Sequence, residues 1–341
     1  MRILVTGASG FIGSHIVEEG VRRGDEVWAG VRSTSSRRWL GVAGVRFVEL
    51  DFGSVGALRG ALLRCRELFG GWDVIVHAAG VTKCVRREDF YRVNYEGTRR
   101  FVDLLVELGM VPRRFVFLSS LSVFGAVREG RVDEGGRVYG VIRGDDEPRP
   151  NTAYGRSKLL AERYIRSVSG FPYVILRPTG VYGPRERDYF LMMQGLSRHV
   201  DFAVGFRPQE ITFVYVKDLV QAVFLAVERD VVGGEFFISD GCVYQSRDFS
   251  DLVCAELGVR FVLRVRCPLW LLRVVCGVSG RVSAWRGEVS TLNGDKYYIL
   301  SQRNWQCDIE PARACLGYSP RYGLRDGVRE TVAWCKAEGW L

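Results

Sequence analysis

The sequence predicts an α/β protein built on a doubly wound parallel sheet, followed by a smaller C-terminal region that shapes a substrate pocket. Three observations predict it. Short apolar runs alternate with helix-period segments through the first half of the 341-residue chain, a glycine-rich turn joins the first run to the first helix, and the alternation loosens after residue 178. Arg2 to Val5, Glu26 to Gly30, Val45 to Leu50, Val74 to His77, Phe115 to Leu118 and Tyr173 to Arg177 read as strands. Between them, Gly13 to Arg22, Val55 to Cys65, Thr98 to Leu108 and Ala153 to Ser167 place apolar residues on one helical face. Glu129 to Pro150, rich in Gly, Asp, Arg and Pro, reads as a surface loop. Residues 183–209 and 242–291 read as insertions over the pocket, and a late strand near Ile211 to Val214 is expected to return to the main sheet. There is no internal repeat or low-complexity tract.

Composition narrows the function. With 47% apolar residues the chain buries an ample core, and the net charge of +9 comes with 43 of 48 basic residues as arginine, spread along the whole length. Without a nucleic-acid motif or a basic tail, that spread argues against a nucleic-acid partner. No uncharged apolar run approaches a bilayer span of ~20 residues, and the opening apolar run reads as a strand rather than a signal segment, so a cytoplasmic protein without an integral anchor is expected. The nine cysteines are odd in number and form no CxxC pair, as expected of reduced structural thiols. His15, His77 and His199 stand at no metal-ligand spacing, so no metal is expected.

"LVTGASGFIGSH" carries Gly7, Gly10 and Gly13 where the first strand gives way to a helix. Glycine lets the backbone turn sharply and approach a pyrophosphate, and the helix N-terminus offers it unpaired N–H groups. At the end of the second strand an NAD-selective fold places a carboxylate on the ribose. Here "EVWAGVRSTSSRR" has Val31 there, and Arg32 with Ser33 and Ser35 suits a 2′-phosphate, a role also open to Arg37 or Arg38. NADP(H) is therefore favoured over NAD(H). Residues 1–177 form the dinucleotide-binding domain and 178–341 mainly the substrate region, with about 211–227 expected back against the sheet.

"NTAYGRSKLLAE" sets Tyr154 and Lys158 four apart on one helix face, where an ammonium favours tyrosinate and tunes the phenol for proton transfer. "FVFLSSLSVFG" ends a strand in serines that can bring a hydroxyl beside it.

With these motifs, and HAAG at His77 to Gly80, Asn94 and RPTGVYGP at Arg177 to Pro184, nearly the whole chain resembles an extended short-chain dehydrogenase/reductase. The resemblance is to the NAD-dependent epimerase/dehydratase and 3β-hydroxysteroid dehydrogenase group. It implies a Rossmann-type sheet, an NAD(P)-dependent enzyme and a homodimer, with Phe101, Leu104, Leu105 and Leu108 available either to an interface or to the core. It gives Ser120 as the catalytic hydroxyl, Tyr154 as acid or base, and Lys158 as the residue that holds the nicotinamide ribose. Cofactor contacts implied are Gly7, Ser9, Gly10, Phe11, Ile12, Gly13, Arg32, Asp51, Phe52, Ala78, Ala79, Gly80, Asn94, Ser119, Pro178 and Val181. Thr82, Lys83, Ser122, Thr179 and Tyr182 are the implied substrate contacts, and His77 a packed strand-end residue.

Departures from the family's subgroups point to a branch. Leu121 and Ser122 stand where sugar dehydratases carry an Asp-Glu pair, which disfavours dehydration. Gly180 stands where nucleotide-sugar epimerases carry a diphosphate-binding Asn, although Arg185, Arg187 and Lys296 remain available to an anion. Val259 to Gly287 holds six arginines, no acidic residue and a dense apolar set. Such a segment suits peripheral contact with the inner face of a membrane, the entrance for an apolar substrate, or ordinary packing. The expected reaction is ketone–alcohol interconversion with NADP(H) on a sterol-like or sphingoid/ceramide-like small molecule, the alternative being nucleotide-sugar epimerisation on retained NAD.

Overall fold

All six runs read as strands form, and a seventh joins them. The structure is a computed structural model and describes residues 1–129, 139–207, 209–287 and 293–341. The chain runs β1 (Arg2–Thr6), α1 (Phe11–Arg22), β2 (Glu26–Val31), β3 (Arg46–Glu49), α2 (Val55–Phe69), β4 (Val74–His77), α3 (Arg87–Phe90), a π-helical stretch (Tyr91–Glu96), α4 (Gly97–Glu107), β5 (Arg114–Leu118), α5 (Ala153–Ser167) and β6 (Tyr173–Pro178). It continues through β7 (Gly180–Tyr182), α6 (Asp188–Ser197), β8 (Val200–Val204), β9 (Glu210–Ile211), β10 (Phe213–Tyr215), α7 (Val216–Glu228) and β11 (Gly234–Ile238). The last elements are β12 (Tyr244–Gln245), α8 (Asp248–Leu257), β13 (Leu263–Cys267), α9 (Leu269–Arg286), α10 (Gly294–Ser301), α11 (Glu310–Leu316) and α12 (Leu324–Ala337). No helix among the described residues is long and apolar enough to cross a membrane.

The seven-stranded sheet has the order β11-β6-β5-β4-β1-β2-β3, every pairing parallel. β4 and β5 are buried along their whole length, which explains why they read as unbroken apolar runs rather than alternating ones. Period-2 alternation still sorts their neighbours. Ile3 and Val5 pack with Ile16 and Val223 on one face, while Leu4 packs with Leu58, Phe101 and Leu105 on the other. The order reverses between β1 and β4, so a crevice opens at the strand C-termini there, the place where such sheets hold a nucleotide.

Two expectations are corrected, and one left open is decided. The strand near Ile211 to Val214 does not enter the main sheet: β9 pairs with β12 and β10 with β7, while β11, hydrogen-bonded to β6, is the strand that returns. α7 does pack back against α1, β5 and β6. Phe101, Leu104, Leu105 and Leu108 lie in the core, so none of them is available to a dimer interface. In the Glu129 to Pro150 stretch, residues 130–138 lie outside the described residues, but Ile142 is fully buried. Its amide donates to Gln306 O at 3.0 Å and its carbonyl accepts from Asp308 N at 2.9 Å. Nearby, Gln302 Nε2 donates to Gly125 O (2.8 Å) and Arg303 N to the Glu129 carboxylate (2.6 Å), so the C-terminal chain is woven into this loop.

Candidate active site

The glycine turn is a cradle that side chains would fill. Gly7 has φ +65°, and a Cβ there would lie 2.8 Å from Ala78 O and from the Ala79 backbone; a Cβ on Gly13 would lie 2.2 Å from Gly7 O. α1 starts at Phe11 with no side chain capping Gly10, so the first-turn N–H groups beside Ser9, Phe11 and Ile12 point at the crevice. Across it, Thr179 Oγ1 is buried with no hydrogen-bond partner among the described residues, as expected of a group that meets a ligand. Thr179 follows Pro178, and its own N–H is taken by Ile238 O at 3.1 Å. The residues present thus fit a dinucleotide running from α1 to the end of β6.

At the ribose end, Val31 is buried and Arg32 exposed. The three candidate cations separate clearly. Arg37 lies over the Phe47 ring at 4.4 Å, and Arg38 pairs with Glu338 at 3.1 Å and covers Trp39. Arg32 makes no ion pair among the described residues, while its amide donates to Ser35 Oγ at 3.1 Å. Asp51 is exposed, with one carboxylate oxygen accepting from Gly53 N at 2.9 Å, and Phe52 packs edge-on against His77 and Phe101. His77 itself sits between Thr6 Oγ1 (2.8 Å) and Thr98 Oγ1 (3.0 Å), and burial together with the Lys158 charge lowers its pKa to about 3. It is a neutral packing residue.

α5 carries the reacting groups. Thr152 caps it, accepting from Gly155 N at 2.9 Å, and Tyr154 and Lys158 follow one turn apart over the crevice. Burial pushes the Tyr154 phenol up to about 12, and the neighbouring Ser120 hydroxyl opposes that rise without overcoming it. The expected lowering of the phenol pKa is therefore absent in the free protein, where desolvation dominates. Lys158 Nζ donates to Leu118 O at 2.8 Å; burial lowers its pKa to about 8, with Glu162 opposing the fall. A Cβ on Gly80 would lie 3.2 Å from that ammonium, so the Ala79–Gly80 turn and Lys158 face each other closely.

The neighbouring polar groups hold these three in place. Asn94, delivered by the π-helical stretch, accepts from Val81 N (2.8 Å) and donates to Val81 O and Ser157 Oγ (both 3.0 Å). Ser157 in turn donates to Tyr154 O at 2.7 Å, so the Asn94 side chain is committed to shaping the site. Ser119, expected at the cofactor, spends its hydroxyl on Glu162 at 2.5 Å instead, because alternation along the strand end turns it inward and leaves Ser120 at the crevice. Glu162 also pairs with Arg177 at 2.7 Å, and Arg177 reaches Glu235 as well. Sequence reasoning missed Glu162, although Tyr154, Lys158 and Glu162 stand at i, i+4 and i+8 on one face.

Around the opening, Thr82 is exposed, and Ser122 lies with its hydroxyl 3.1 Å from that of Ser120. Lys83 pairs with Asp188, which Lys296 also approaches at 3.3 Å; burial pushes the Asp188 carboxyl up, but the two ammoniums overcome it and hold it below its usual range. Asp295, also missed, accepts from Tyr154 N at 3.1 Å and so fixes α10 to the start of α5. Arg185 gives its two terminal nitrogens to Ser14 and Glu18, while its buried Nε has no hydrogen-bond partner among the described residues. Tyr182 is corrected from a substrate contact to a core residue, 1% exposed among Tyr189, Phe213, Tyr215 and Phe249. Val181 beside it is partly buried. A Cβ on Gly180 would lie 2.5 Å from Tyr189 Oη, so a side chain there would require the tyrosine to move.

A glycine cradle at a sheet switch point, with Ser, Tyr and Lys over it, defines an NAD(P)-dependent enzyme of the extended short-chain dehydrogenase/reductase type. The chain belongs to the NAD dependent epimerase/dehydratase family, whose sequence model matches residues 3–238. Among its relatives, human 3 beta-hydroxysteroid dehydrogenase type 7 is 27% identical over 98% of this chain and 95% of its own. The ceramide reductase of Caulobacter vibrioides is 26% identical over 99% of this chain and 96% of its own. The structure of MoeE5 in complex with UDP-glucuronic acid and NAD superposes with a TM-score of 0.73 at 25% identity, covering 99% of this chain and 100% of that one.

Proposed function

We propose that this protein is an NADP(H)-dependent reductase that interconverts a ketone and a secondary alcohol on a hydrophobic, lipid-like substrate of sterol or sphingoid/ceramide type. Gly180 carries the choice over a nucleotide-sugar epimerase: it offers no side chain where the family's epimerases carry a diphosphate-binding Asn, and Tyr189 Oη stands 2.5 Å from where its Cβ would be. Relatives that the names 3 beta-hydroxysteroid dehydrogenase and ceramide reductase describe support the substrate class. Arg32 at the end of β2, which makes no ion pair among the described residues, supports NADP(H), with NAD(H) as the alternative. A homodimer belongs to the same reading, as an expectation drawn from the family, and so does a cytoplasmic location.

NADPH, when bound, supplies the hydride. Ser120 hydrogen-bonds the carbonyl oxygen and stabilises the charge that develops there. Tyr154, fully protonated at neutral pH because burial holds its phenol up to about 12, donates the proton that completes the alcohol. Transfer of that proton leaves a phenolate beside Lys158, whose ammonium is then stabilising where it was previously only costly to bury. The turn at Ala78, Ala79 and Gly80, held by Asn94 through Val81, keeps Lys158 facing the ribose site.

The test is NADPH consumption with dispersed 3-keto-sphingoid, keto-ceramide and steroid ketones against UDP- and dTDP-keto-sugars, repeated with NADH. Turnover of a lipid ketone that Tyr154→Phe abolishes, with NADPH affinity retained, is the expected result. Turnover of the keto-sugar nucleotides alone would replace the lipid ketone by a nucleotide sugar as substrate, and NAD tightly retained in the purified protein would replace this reading by epimerisation.

A further inference from the structure

The C-terminal region contains a sheet that is built inside out. β8 and β13 pair in parallel, Leu263 opposite Val200 and Val265 opposite Phe202, so these four side chains share one face. That face is turned outward: Phe202 is 68%, Leu263 57% and Val265 37% exposed. The opposite face carries Asp201 on β8, only 5% exposed, which accepts from Ser250 of α8 at 3.2 Å, and the exposed Arg264 and Arg266 on β13. A ribbon on a water-facing surface has the reverse arrangement.

α9 begins two residues after β13 and repeats the pattern. It buries Leu272 and Cys276 and leaves Trp270, Val274, Val278 and Trp285 exposed, Trp285 by 85%. Exposed apolar surface on this scale marks an interface.

Charge decides what covers it. Arg264 pairs with Asp251 and Asp201, but Arg260, Arg266, Arg273, Arg281 and Arg286 are exposed and make no ion pair among the described residues. The segment from Val259 to Gly287 holds no acidic residue to answer them. A second copy docked through the same face would bring these arginines against their own counterparts, which like-charge repulsion opposes. An anionic bilayer answers both features at once: headgroup phosphates take the guanidiniums, and the interfacial zone takes the tryptophans, Phe202 and the valines.

We infer that the outer face of β8–β13 together with α9 docks on an anionic lipid bilayer. The inference stands on this surface alone and holds whichever ketone the site reduces. Its consequence for the site is direct, since α9 leads to α10, where Asp295 holds Tyr154 N and Lys296 approaches Asp188. Docking would thus hold the segment that precedes α10, and through Asp295 the start of α5, against the membrane.

Flotation of the purified full-length protein with detergent-free vesicles tests it, using phosphatidylglycerol/phosphatidylcholine mixtures against phosphatidylcholine alone at low and high salt. Binding to anionic vesicles that is roughly tenfold stronger than to zwitterionic ones and weakened by salt is expected. Arg273→Glu with Arg281→Glu should weaken it by roughly tenfold or more. Phe202→Ser with Trp285→Ala, both at exposed positions, should also weaken it, with NADPH affinity unchanged in each variant as the control for folding. Absence of anionic-vesicle binding, or binding indifferent to both variants, would overturn the inference. So would light scattering that shows the variants converting a dimer to monomers while vesicle binding persists, since the surface would then belong to a second copy.

Discussion

Replacing Lys158 by methionine isolates the cost of keeping an ammonium under the crevice. The side chain is 4% exposed, and its removal from water lowers the ammonium pKa from 10.5 to about 8. The unfolded chain holds its proton up to pH 10.5 and the folded one only to about 8, so the folded state bears an unfavourable charge at every pH below 8. At 1.36 kcal/mol per pKa unit this costs roughly 3 kcal/mol at pH 7, shrinks to roughly 1.4 kcal/mol at pH 9.5, and vanishes above 10.5. Methionine matches the length without the charge, but it deprives Leu118 O of its donor, a penalty of about 1–3 kcal/mol that does not change with pH. Urea unfolding without cofactor should therefore find the variant's stability relative to the native protein falling by roughly 2 kcal/mol between pH 7 and 9.5. A difference that stays constant over that range would refute the assignment of Lys158 as a cation buried at a cost. Turnover should be lost at both pH values, since the phenolate left after proton donation has no ammonium beside it.

Three further outcomes follow from the geometry. Gly13→Ala drives a methyl to 2.2 Å from Gly7 O, so NADPH titration should show affinity lost and melting should show destabilisation by about 1–3 kcal/mol; native affinity would contradict the cradle. Arg32→Glu should shift the ratio of kcat/KM for NADPH over NADH by about tenfold or more towards NADH, from the loss of a charge-assisted contact worth about 1.5–3 kcal/mol, and an unchanged ratio would remove Arg32 from the phosphate site. Asp295→Ala should cost about 1 kcal/mol in denaturant unfolding by stripping the carboxylate from the first turn of α5, with NADPH affinity intact; no change would mean that α10 is not fixed there.

What the sequence made legible was local. β1, β4 and β5 announce themselves as continuous apolar runs because both their faces are buried, and Tyr154 with Lys158 declares a shared face through helical spacing alone. β11 did not, since Gly234–Ile238 finds its place only through pairing with β6, far back in the chain. Asp295 meets Tyr154 N across 141 residues, a separation no periodicity records. Tyr182 was misplaced for a different reason: motif order put it among the substrate contacts, but strand alternation in β7 sends it into the aromatic core. Ser119 and Ser120 obey the same alternation, and there it separates a buried partner of Glu162 from the hydroxyl at the phenol.

The weave between the loop after β5 and the C-terminal chain bears on how far this enzyme is modular. The family match ends at residue 238, yet Gln302, Arg303 and Gln306 supply donors and acceptors to Gly125, Glu129 and Ile142, on the same loop that begins with Ser120. A fragment cut at the end of β11 would strip Ile142 bare and leave those backbone groups unanswered. A chimera that grafts a relative's substrate-binding half onto this nucleotide-binding half must therefore exchange the Gly125, Glu129 and Ile142 contacts along with it, because these residues and the C-terminal chain are joined by hydrogen bonds in space although the chain separates them widely.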